Sequence, residues 1–158
     1  TVVRRATFHV GGYFMLISEL PLNDHEDLAF VGPDEAVSTV ATILSEGNIG
    51  ALPVCNQSGG LVGILSERDI VHGLCRHGNL LGDMKVSDLM TADVVTCQLG
   101  DEVNEIMQVM NQRGFRHLPV LDGIRLHSIV SSRDVMAAML EETATNFRTM
   151  GLAYEMVR

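Results

Sequence analysis

Basic residues are scarce in this sequence, and they are not clustered. Lys and Arg together number 11 against 20 Asp and Glu, which gives a formal net charge of −9. Proteins that bind nucleic acid neutralise its phosphates with many Lys and Arg side chains. The sequence therefore predicts a protein without a nucleic-acid partner.

Long apolar runs are also absent, although 46% of the 158 residues are hydrophobic. No run approaches the roughly 20 residues that a helix needs to cross a bilayer, so we expect no membrane partner. Near the start, Arg4 and Arg5 precede an apolar stretch, but His9 and Gly11 interrupt it and no convincing cleavage site follows. Residues 1–15 are interpreted as an N-terminal arm.

Cysteines are few and show neither a disulfide nor a metal-binding pattern. Cys55, Cys75 and Cys97 are odd in number and lack C-x-x-C spacing, which favours a reduced, cytoplasmic location. His72 and His77 lie near Cys75 in the sequence, but no fourth ligand is evident. The sequence predicts no metal site, and His77 is interpreted as a residue at a helix end.

Motifs of enzymatic chemistry are missing as well. The sequence contains no nucleophile elbow, P-loop, dinucleotide-binding or zinc-protease pattern. The duplicated units described next occupy almost all of the chain. We therefore expect no enzymatic activity.

An internal duplication is the main feature of the sequence. Residues 37–54, VSTVATILSEGNIGALPV, align without a gap with residues 103–120, VNEIMQVMNQRGFRHLPV, after a shift of 66 residues. When one residue is removed from the following turn, LVGILSERDI (61–70) aligns with LHSIVSSRDV (126–135). A Leu-Pro-Val segment and a Ser-x-Arg-Asp segment therefore recur in the same order.

Each copy has the periodicity of a β-α-β-β-α unit. The apolar runs 28–31 and 94–97 are interpreted as first strands, followed by helical spacing up to Gly47 and Gly114. A strand with Leu-Pro-Val, a turn, another strand and a second helix complete the unit. A unit of about 50 residues buries its own faces poorly, so the copies should pack together about an approximate two-fold axis. We expect an α+β fold with repeats at 16–80 and 81–141 and a C-terminal helix or tail at 142–158.

The best-matching pieces resemble a known family. VSDLMTADVVTC, IGALPVCNQSGGLVGILSERDIV and FRHLPVLDG…SIVSSRDVM resemble the tandem cystathionine-β-synthase (CBS) domain pair, or Bateman module, over nearly all of residues 16–141. The resemblance implies a regulatory or sensor module that binds an adenosine-containing ligand in clefts between the repeats. AMP is the first candidate, with ADP, ATP, NAD and S-adenosylmethionine as alternatives. The resemblance also implies a homodimer.

The resemblance implies roles for the repeated Ser-x-Arg-Asp segments. In the family the aspartate holds the ribose hydroxyls and the serine helps with phosphate, which carries over to Asp69 and Ser66, and to Asp134 and Ser131. An Asp carboxylate can accept both hydrogen bonds of a cis-diol, and a helix N-terminus offers free N–H groups to a phosphate. The strands that enter the sheet are expected to form an apolar slot for adenine. The other predicted ligand contacts are Ile49, Gly50, Ala51, Pro53, Arg68, Arg116, His117, Leu118, Pro119 and Arg133.

Other interpretations of these residues remain open. Each Ser-x-x-Asp also matches a capping box, in which the acid reaches back to the helix start, and capping can coexist with binding. Arg68 and Arg133 fit solvated or ion-paired surface residues equally well. Pro53 and Pro119 cannot donate a ladder hydrogen bond, so we expect strand pairing to lapse there and leave room for a ligand. The alternative function is an interaction or scaffold protein whose clefts bind nothing.

Two departures distinguish the copies. The second has Arg116 and His117 where the first has Gly50 and Ala51, so we predict unequal sites, with one of these cations serving the phosphate end of the ligand. Successive strand residues face opposite sides, so the two are not expected to reach one phosphate together. Ser128 replaces a glycine of the first copy, which brings strand packing there into question.

Overall fold

The structure is a computed structural model that describes residues 4–5, 15–22, 28–141 and 143–144. It confirms the α+β fold built from two repeats. The helices are α1 (Val37–Gly47), α2 (Glu67–His77), α3 (Val86–Leu89) and α4 (Val103–Arg113), and α5, which begins at residue 132 and is described through residue 141. The strands are β1 (Arg4–Arg5), β2 (Ala51–Cys55), β3 (Leu61–Ser66), β4 (Val95–Gln98), β5 (His117–Asp122) and β6 (Arg125–Ser131). Most of the predicted arm and of the C-terminal helix or tail lies outside the described residues.

The strands form one sheet in each repeat. The second repeat has a sheet in the order β1-β4-β5-β6, and the first has the antiparallel pair β2-β3. β4 is parallel to β5, and β5 is antiparallel to β6. The β2-β3 pair is extended on its two sides by single bridges from Val31 to Val54 and from Thr91 to Ile64.

The strand expected at 28–31 is therefore reduced to one bridge at Val31. The Val31 N–H donates to the carbonyl of Pro53 at 3.1 Å, and its own carbonyl accepts from the N–H of Cys55 at 2.9 Å. The equivalent strand of the second repeat, β4, is paired on both sides by β1 and β5. No strand lies beyond Val31 in the part of the chain that the structure describes, which explains why the first repeat forms less regular structure here.

Strand pairing continues through both prolines, so the expected lapse at those positions is wrong. Pro53 lies opposite Ile64, and Pro119 lies opposite Ile129, while each register shift follows one residue later. The N–H and C=O groups of one strand residue point to the same side of the strand. Since the Pro53 carbonyl faces Val31, the missing N–H of Pro53 also faces that side, and β3 loses no partner.

Gly63 and Ser128 occupy equivalent strand positions in different surroundings. A Cβ added to Gly63 would clash with the sulfur of Met90, so a larger residue at this point would require the Met90 side chain to shift. Ser128 is buried opposite Val120, and its hydroxyl has no hydrogen-bond partner among the described residues. β6 nevertheless forms over its full length.

The short segments at the starts of the two repeats are exchanged between the hydrophobic cores. Ile17 lies in one core cluster with Ile106 of the second repeat, whereas Val86 lies in another with Val40 of the first. Backbone hydrogen bonds follow the same exchange, because the N–H of Val103 donates to the carbonyl of residue 15 and that of Val37 to the carbonyl of residue 84. The core of each repeat is therefore completed by the segment that begins the other one.

A third, smaller cluster joins the repeats directly. Cys55 at the end of β2 packs with Leu121 and Leu126 of the second repeat, and Leu28 and Leu61 lie against them. Burial raises the pKa of the Cys55 thiol, as it raises that of Cys97 in the second core to about 12. Both thiols are therefore structural side chains at neutral pH.

Candidate ligand-binding clefts

Two clefts open between the repeats. The first cleft has a volume of about 330 Å³ and the second about 910 Å³, which fall in the range of small-molecule sites. The first is lined by Gly50, Ala51, Ile64, Ser66, Glu67, Arg68, Asp69, His72, Thr91, Asp93, Val94, Val95, Arg113, Gly114, Phe115, Arg116, His117, Leu118 and Pro119. The second is lined by Pro21, Leu22, Leu28, Ala29, Gly47, Asn48, Ile49, Gly50, Ala51, Glu67, Arg116, His117, Ile129, Ser131, Ser132, Arg133, Asp134 and Met136.

The two clefts are built reciprocally. In each, the start of the second helix of one repeat faces the segment between the first helix and the Leu-Pro-Val strand of the other. Thus Ser66 and Asp69 face residues 113–119 in the first cleft, and Ser131 and Asp134 face residues 47–51 in the second. Because the repeats are related by a pseudo-two-fold axis, the same two segments, the start of the second helix and the residues before the Leu-Pro-Val strand, form a site twice.

The repeated serine and aspartate form a capping box in both repeats. The backbone N–H and the hydroxyl of Ser66 donate to Oδ2 of Asp69 at 2.8 and 2.6 Å. The same two bonds join Ser131 to Oδ2 of Asp134 at 2.8 and 2.6 Å. The capping interpretation is thus part of the structure, and it fixes each carboxylate at the rim of a cleft.

Capping occupies only one oxygen of each carboxylate. Within the described residues, Oδ1 of Asp69 and Oδ1 of Asp134 accept no protein hydrogen bond. Both side chains are half-buried and line a cleft. Each aspartate therefore retains acceptor capacity on the cleft side while it stabilises its helix.

His117 lies at the boundary between the clefts, against the backbone of the first repeat. A Cβ added to Gly50 would lie 2.6 Å from Cε1 and 2.8 Å from Nε2 of the His117 ring. Gly50 is the internal counterpart of Arg116, so the side chain missing from one repeat makes room for the imidazole of the other. The sequence difference that predicted unequal sites is thus a packing requirement.

Arg116 and His117 line both clefts. They can do so because Gly50 lets the repeats approach closely at this point. Burial lowers the pKa of His117, Arg116 and Arg133 lower it further, and the carboxylates of Asp134 and Glu67 act in the opposite direction. The imidazole is therefore neutral at pH 7, whereas Arg116 is a permanent cation that lines both clefts.

Arg68 and Arg133 have different environments despite their equivalent positions. The Nη1 group of Arg68 donates to the carbonyl of Gly114 at 3.0 Å. Gly114 adopts φ 71° at the end of α4, so this bond ties the second helix of one repeat to the first helix of the other. Among the described residues, Arg133 makes no such bond.

The structure brings together all but one of the predicted ligand contacts. Leu118 and Pro119 line only the first cleft, and Ile49 lines only the second. Pro53 lines neither. Pro53 and Pro119 therefore differ in location although they occupy equivalent positions.

Several lining residues were missed by the sequence interpretation. Glu67 and Arg113 line the clefts beside predicted contacts, and Val94 and Val95 line the first cleft where Leu28 lines the second. The last three lie in the apolar runs 28–31 and 94–97, which the sequence assigns to strands. Because both runs occupy the same position ahead of the first helix of their repeat, the duplication could have identified these three residues as a matching pair of cleft walls.

Within the part of the chain that the structure describes, no group of three or more His, Cys, Asp and Glu side chains could hold a metal ion. No helix among these described residues has the length and apolar character needed to span a membrane.

Comparisons with known proteins agree with the fold. An uncharacterised 17.7 kDa protein of Acidianus ambivalens is 35% identical over 118 residues, which are 74% of this chain and 70% of that protein. The crystal structure of a CBS-domain containing protein from Agrobacterium tumefaciens is similar, with 31% sequence identity and a TM-score of 0.74. The matched region includes 84% of this chain and 99% of the Agrobacterium chain. The structure of CBSX2 in complex with AMP has a TM-score of 0.71 at 24% identity and covers 84% of this chain and 99% of its own.

Some relatives are considerably longer. The matching region spans 40% of a Methanocaldococcus jannaschii protein and 33% of a Thermofilum pendens protein. The family model of the CBS domain matches twice, at residues 17–76 and at residues 86–141. With two matches that follow the two structural repeats, the chain belongs to the CBS domain family and contains a tandem pair of these domains.

Proposed function

We propose that this chain is a regulatory module that binds an adenosine-containing ligand between its two CBS domains, with AMP as the first candidate. The observation that carries the proposal is the aspartate at the rim of each cleft, which keeps one carboxylate oxygen available while the other caps a helix. CBSX2, which has the same fold, is described in complex with AMP. ADP, ATP, NAD and S-adenosylmethionine remain alternatives within the same ligand class.

Asp69 and Asp134 bind the ribose in this proposal. Each aspartate lines a cleft, and its Oδ1 atom, which accepts no hydrogen bond from the described residues, can accept hydrogen bonds from vicinal hydroxyls. The serines already donate to the same carboxylate, so they hold it in place. Ser66 and Ser131 therefore act mainly by positioning the aspartate, and a direct contact with phosphate is secondary.

The adenine ring lies in the apolar part of each cleft. In the first cleft Val94, Val95 and Phe115 supply that part, and in the second Leu28 and Ile49 supply it. Ligand sites of this size combine such apolar walls with a few polar groups that fix orientation. The reciprocal construction gives both clefts an apolar end and a polar end.

The phosphate end of the ligand lies towards Arg116. In a chain of net charge −9 the overall potential opposes an anionic ligand, so a local cation is needed. Arg116 is exposed and lines both clefts. The neutral His117 acts beside it as a hydrogen-bonding group.

Two copies of the chain associate through the faces of the second helices. Val71 and Leu74 on α2 are 58% and 57% exposed, and Met136 and Leu140 on α5 are 46% and 72% exposed. A helix with an apolar stripe that the described chain does not cover is typical of an interface. The proposed module is therefore a homodimer, in the cytoplasm, with no chemistry of its own.

Mass spectrometry of small molecules released from the purified, denatured protein tests the ligand class. We expect an adenosine-containing compound, and calorimetry should show binding of AMP. Asp69→Asn and Asp134→Asn should each weaken binding at one cleft while the fold is retained. A protein that carries no such compound and is not stabilised by any adenosine derivative in melting assays would favour the scaffold alternative.

A further inference from the structure

The two clefts share one wall. Gly50, Ala51, Glu67, Arg116 and His117 line the first cleft and the second alike. Every other lining residue belongs to one cleft only. A ligand in either cleft therefore meets the same five residues.

Arg116 is the one arginine of the described residues that lines both clefts. Arg113 lines the first cleft only and Arg133 the second only. Arg68 also lines the first cleft, but its guanidinium already donates to the carbonyl of Gly114. The positive charge near a phosphate thus has one component that both clefts share, Arg116, and further components that belong to one cleft only.

The shared wall is thin because of Gly50. The imidazole of His117 lies in the space that a side chain at position 50 would need, and Oε2 of Glu67 lies 3.8 Å from that same space. Among the five shared residues the first repeat supplies no cation, since the internal counterpart of Arg116 is this glycine. The shared wall therefore has one permanent cation where complete internal symmetry would have given two.

We infer that the two clefts compete for Arg116, so that an anionic ligand bound in one cleft weakens the binding of a second anionic ligand in the other. This inference rests on the proposed function. An uncharged nucleoside makes no demand on Arg116 and binds both clefts independently. The module consequently responds to the charge of its ligands as well as to their adenosine part.

The physical reason is electrostatic. A phosphate in one cleft draws the flexible guanidinium towards itself, and its own negative charge then lies across the wall from the other cleft. The second phosphate loses an attraction and meets a repulsion, both of which weaken with distance and with salt. Coupling between sites is reciprocal and typically changes affinity about 5- to 150-fold, which is the weakening that we expect for the second AMP.

Calorimetric titration of AMP and of adenosine into four proteins tests the inference. Wild type should bind one AMP tightly and a second about 5- to 150-fold more weakly, but should bind two adenosines without coupling. Asp69→Asn weakens binding in the first cleft, so only the second remains functional, and Asp134→Asn has the opposite effect. Each of these single-cleft variants should bind one AMP about as tightly as the first AMP of wild type. Arg116→Met should lose much of its preference for AMP over adenosine, and its coupling should be clearly weaker than that of wild type, because only the repulsion between the two phosphates remains.

Arg113→Met and Arg133→Met are the matched controls. Each removes an arginine from one cleft, so each should weaken AMP in that cleft while the coupling between clefts remains. High salt should reduce the coupling of wild type and leave adenosine binding unchanged.

Three results would overturn the inference while leaving the proposed function intact. The first is two independent AMP sites in wild type. The second is weak AMP binding by one single-cleft variant alone. The third is coupling as strong in Arg116→Met as in wild type. The second result would show clefts that are unequal but not coupled. Binding of neither AMP nor adenosine by wild type would contradict the proposed function itself, and the inference with it.

Discussion

Gly50 and His117 are complementary across the boundary between the two repeats. The ring of His117 lies 2.6 Å from the position that a Cβ of residue 50 would occupy. Gly50 corresponds to Arg116 in the internal duplication. The loss of a side chain in one repeat and the presence of an imidazole in the other are therefore one structural feature.

Gly50→Ala should displace the His117 ring and destabilise the protein. Overpacking of a well-packed site typically costs about 1–3 kcal/mol, and we expect a loss in this range in urea unfolding. Both clefts should lose affinity for AMP, because His117 lines both. Gly82→Ala is the control, since its added Cβ would meet only Ser38 at 3.8 Å. Equal stability of the two variants would show that the imidazole moves aside at no cost.

Asp134→Ala should lower stability even without ligand. The substitution removes two hydrogen bonds from Ser131 to a charged acceptor, and bonds of this kind contribute about 1.5–3 kcal/mol. The pair is only half-buried, so the lower end of the range is expected. Asp134→Asn keeps an acceptor oxygen and should lose less. Chemical denaturation followed by circular dichroism measures both, and an unchanged midpoint for Asp134→Ala would contradict the capping role.

The lowered pKa of His117 predicts a loss of stability on mild acidification. The unfolded chain binds a proton near the ordinary pKa of 6.5, whereas the folded chain binds it only at lower pH. Stability from this group is thus fully present above pH 6.5 and is lost as the pH falls towards the folded value. The free energy of unfolding of wild type, minus that of His117→Gln, should decrease between pH 7 and pH 5. A difference independent of pH would exclude this contribution.

Arg68→Met should weaken the contact between α2 and α4. It removes the hydrogen bond to the carbonyl of Gly114, and at this exposed site we expect a loss of about 0.5–1 kcal/mol. Arg133→Met is the matched control, because Arg133 is equivalent in the duplication and makes no such bond among the described residues. Thermal unfolding of the two variants compares them directly, and a larger loss for Arg133→Met would contradict the expectation.

Leu74→Asp and Leu140→Asp should disrupt the proposed homodimer. Both side chains are more than half exposed in the single chain, so a charge there has little effect on the fold but is costly in an apolar interface. Sedimentation at micromolar concentration should show wild type at twice the 17.2 kDa mass of the chain and the variants at the single mass. Ile124→Asp changes a side chain that is 93% exposed in the β5-β6 turn and should remain dimeric. A monomeric wild type would overturn the proposal.

The duplication and its periodicity were sufficient to predict the α+β fold, the two repeats and the Ser-Asp pairs. These features depend on local interactions: apolar spacing fixes a helix or a strand, and a capping box needs residues only three positions apart. The same reasoning found most cleft residues, because the Leu-Pro-Val and Ser-x-Arg-Asp segments lie at element ends that meet between the repeats. The expected lapse of strand pairing at Pro53 was wrong, because its pairing with Val31 on one side and Ile64 on the other depends on neighbours that are distant in the sequence.

The tertiary structure alone decided how the two repeats combine. Ile17 lies at the start of the first repeat yet packs in the core of the second, and Val86 does the reverse, because each apolar stripe is buried by the surface that the fold places against it. The sharing of Arg116 and His117 by both clefts follows from the same packing. The pattern of side chains determines whether a segment forms a helix or a strand. Whether Gly50 lies against His117 depends on the relative position of two sheets, and no local spacing encodes that position.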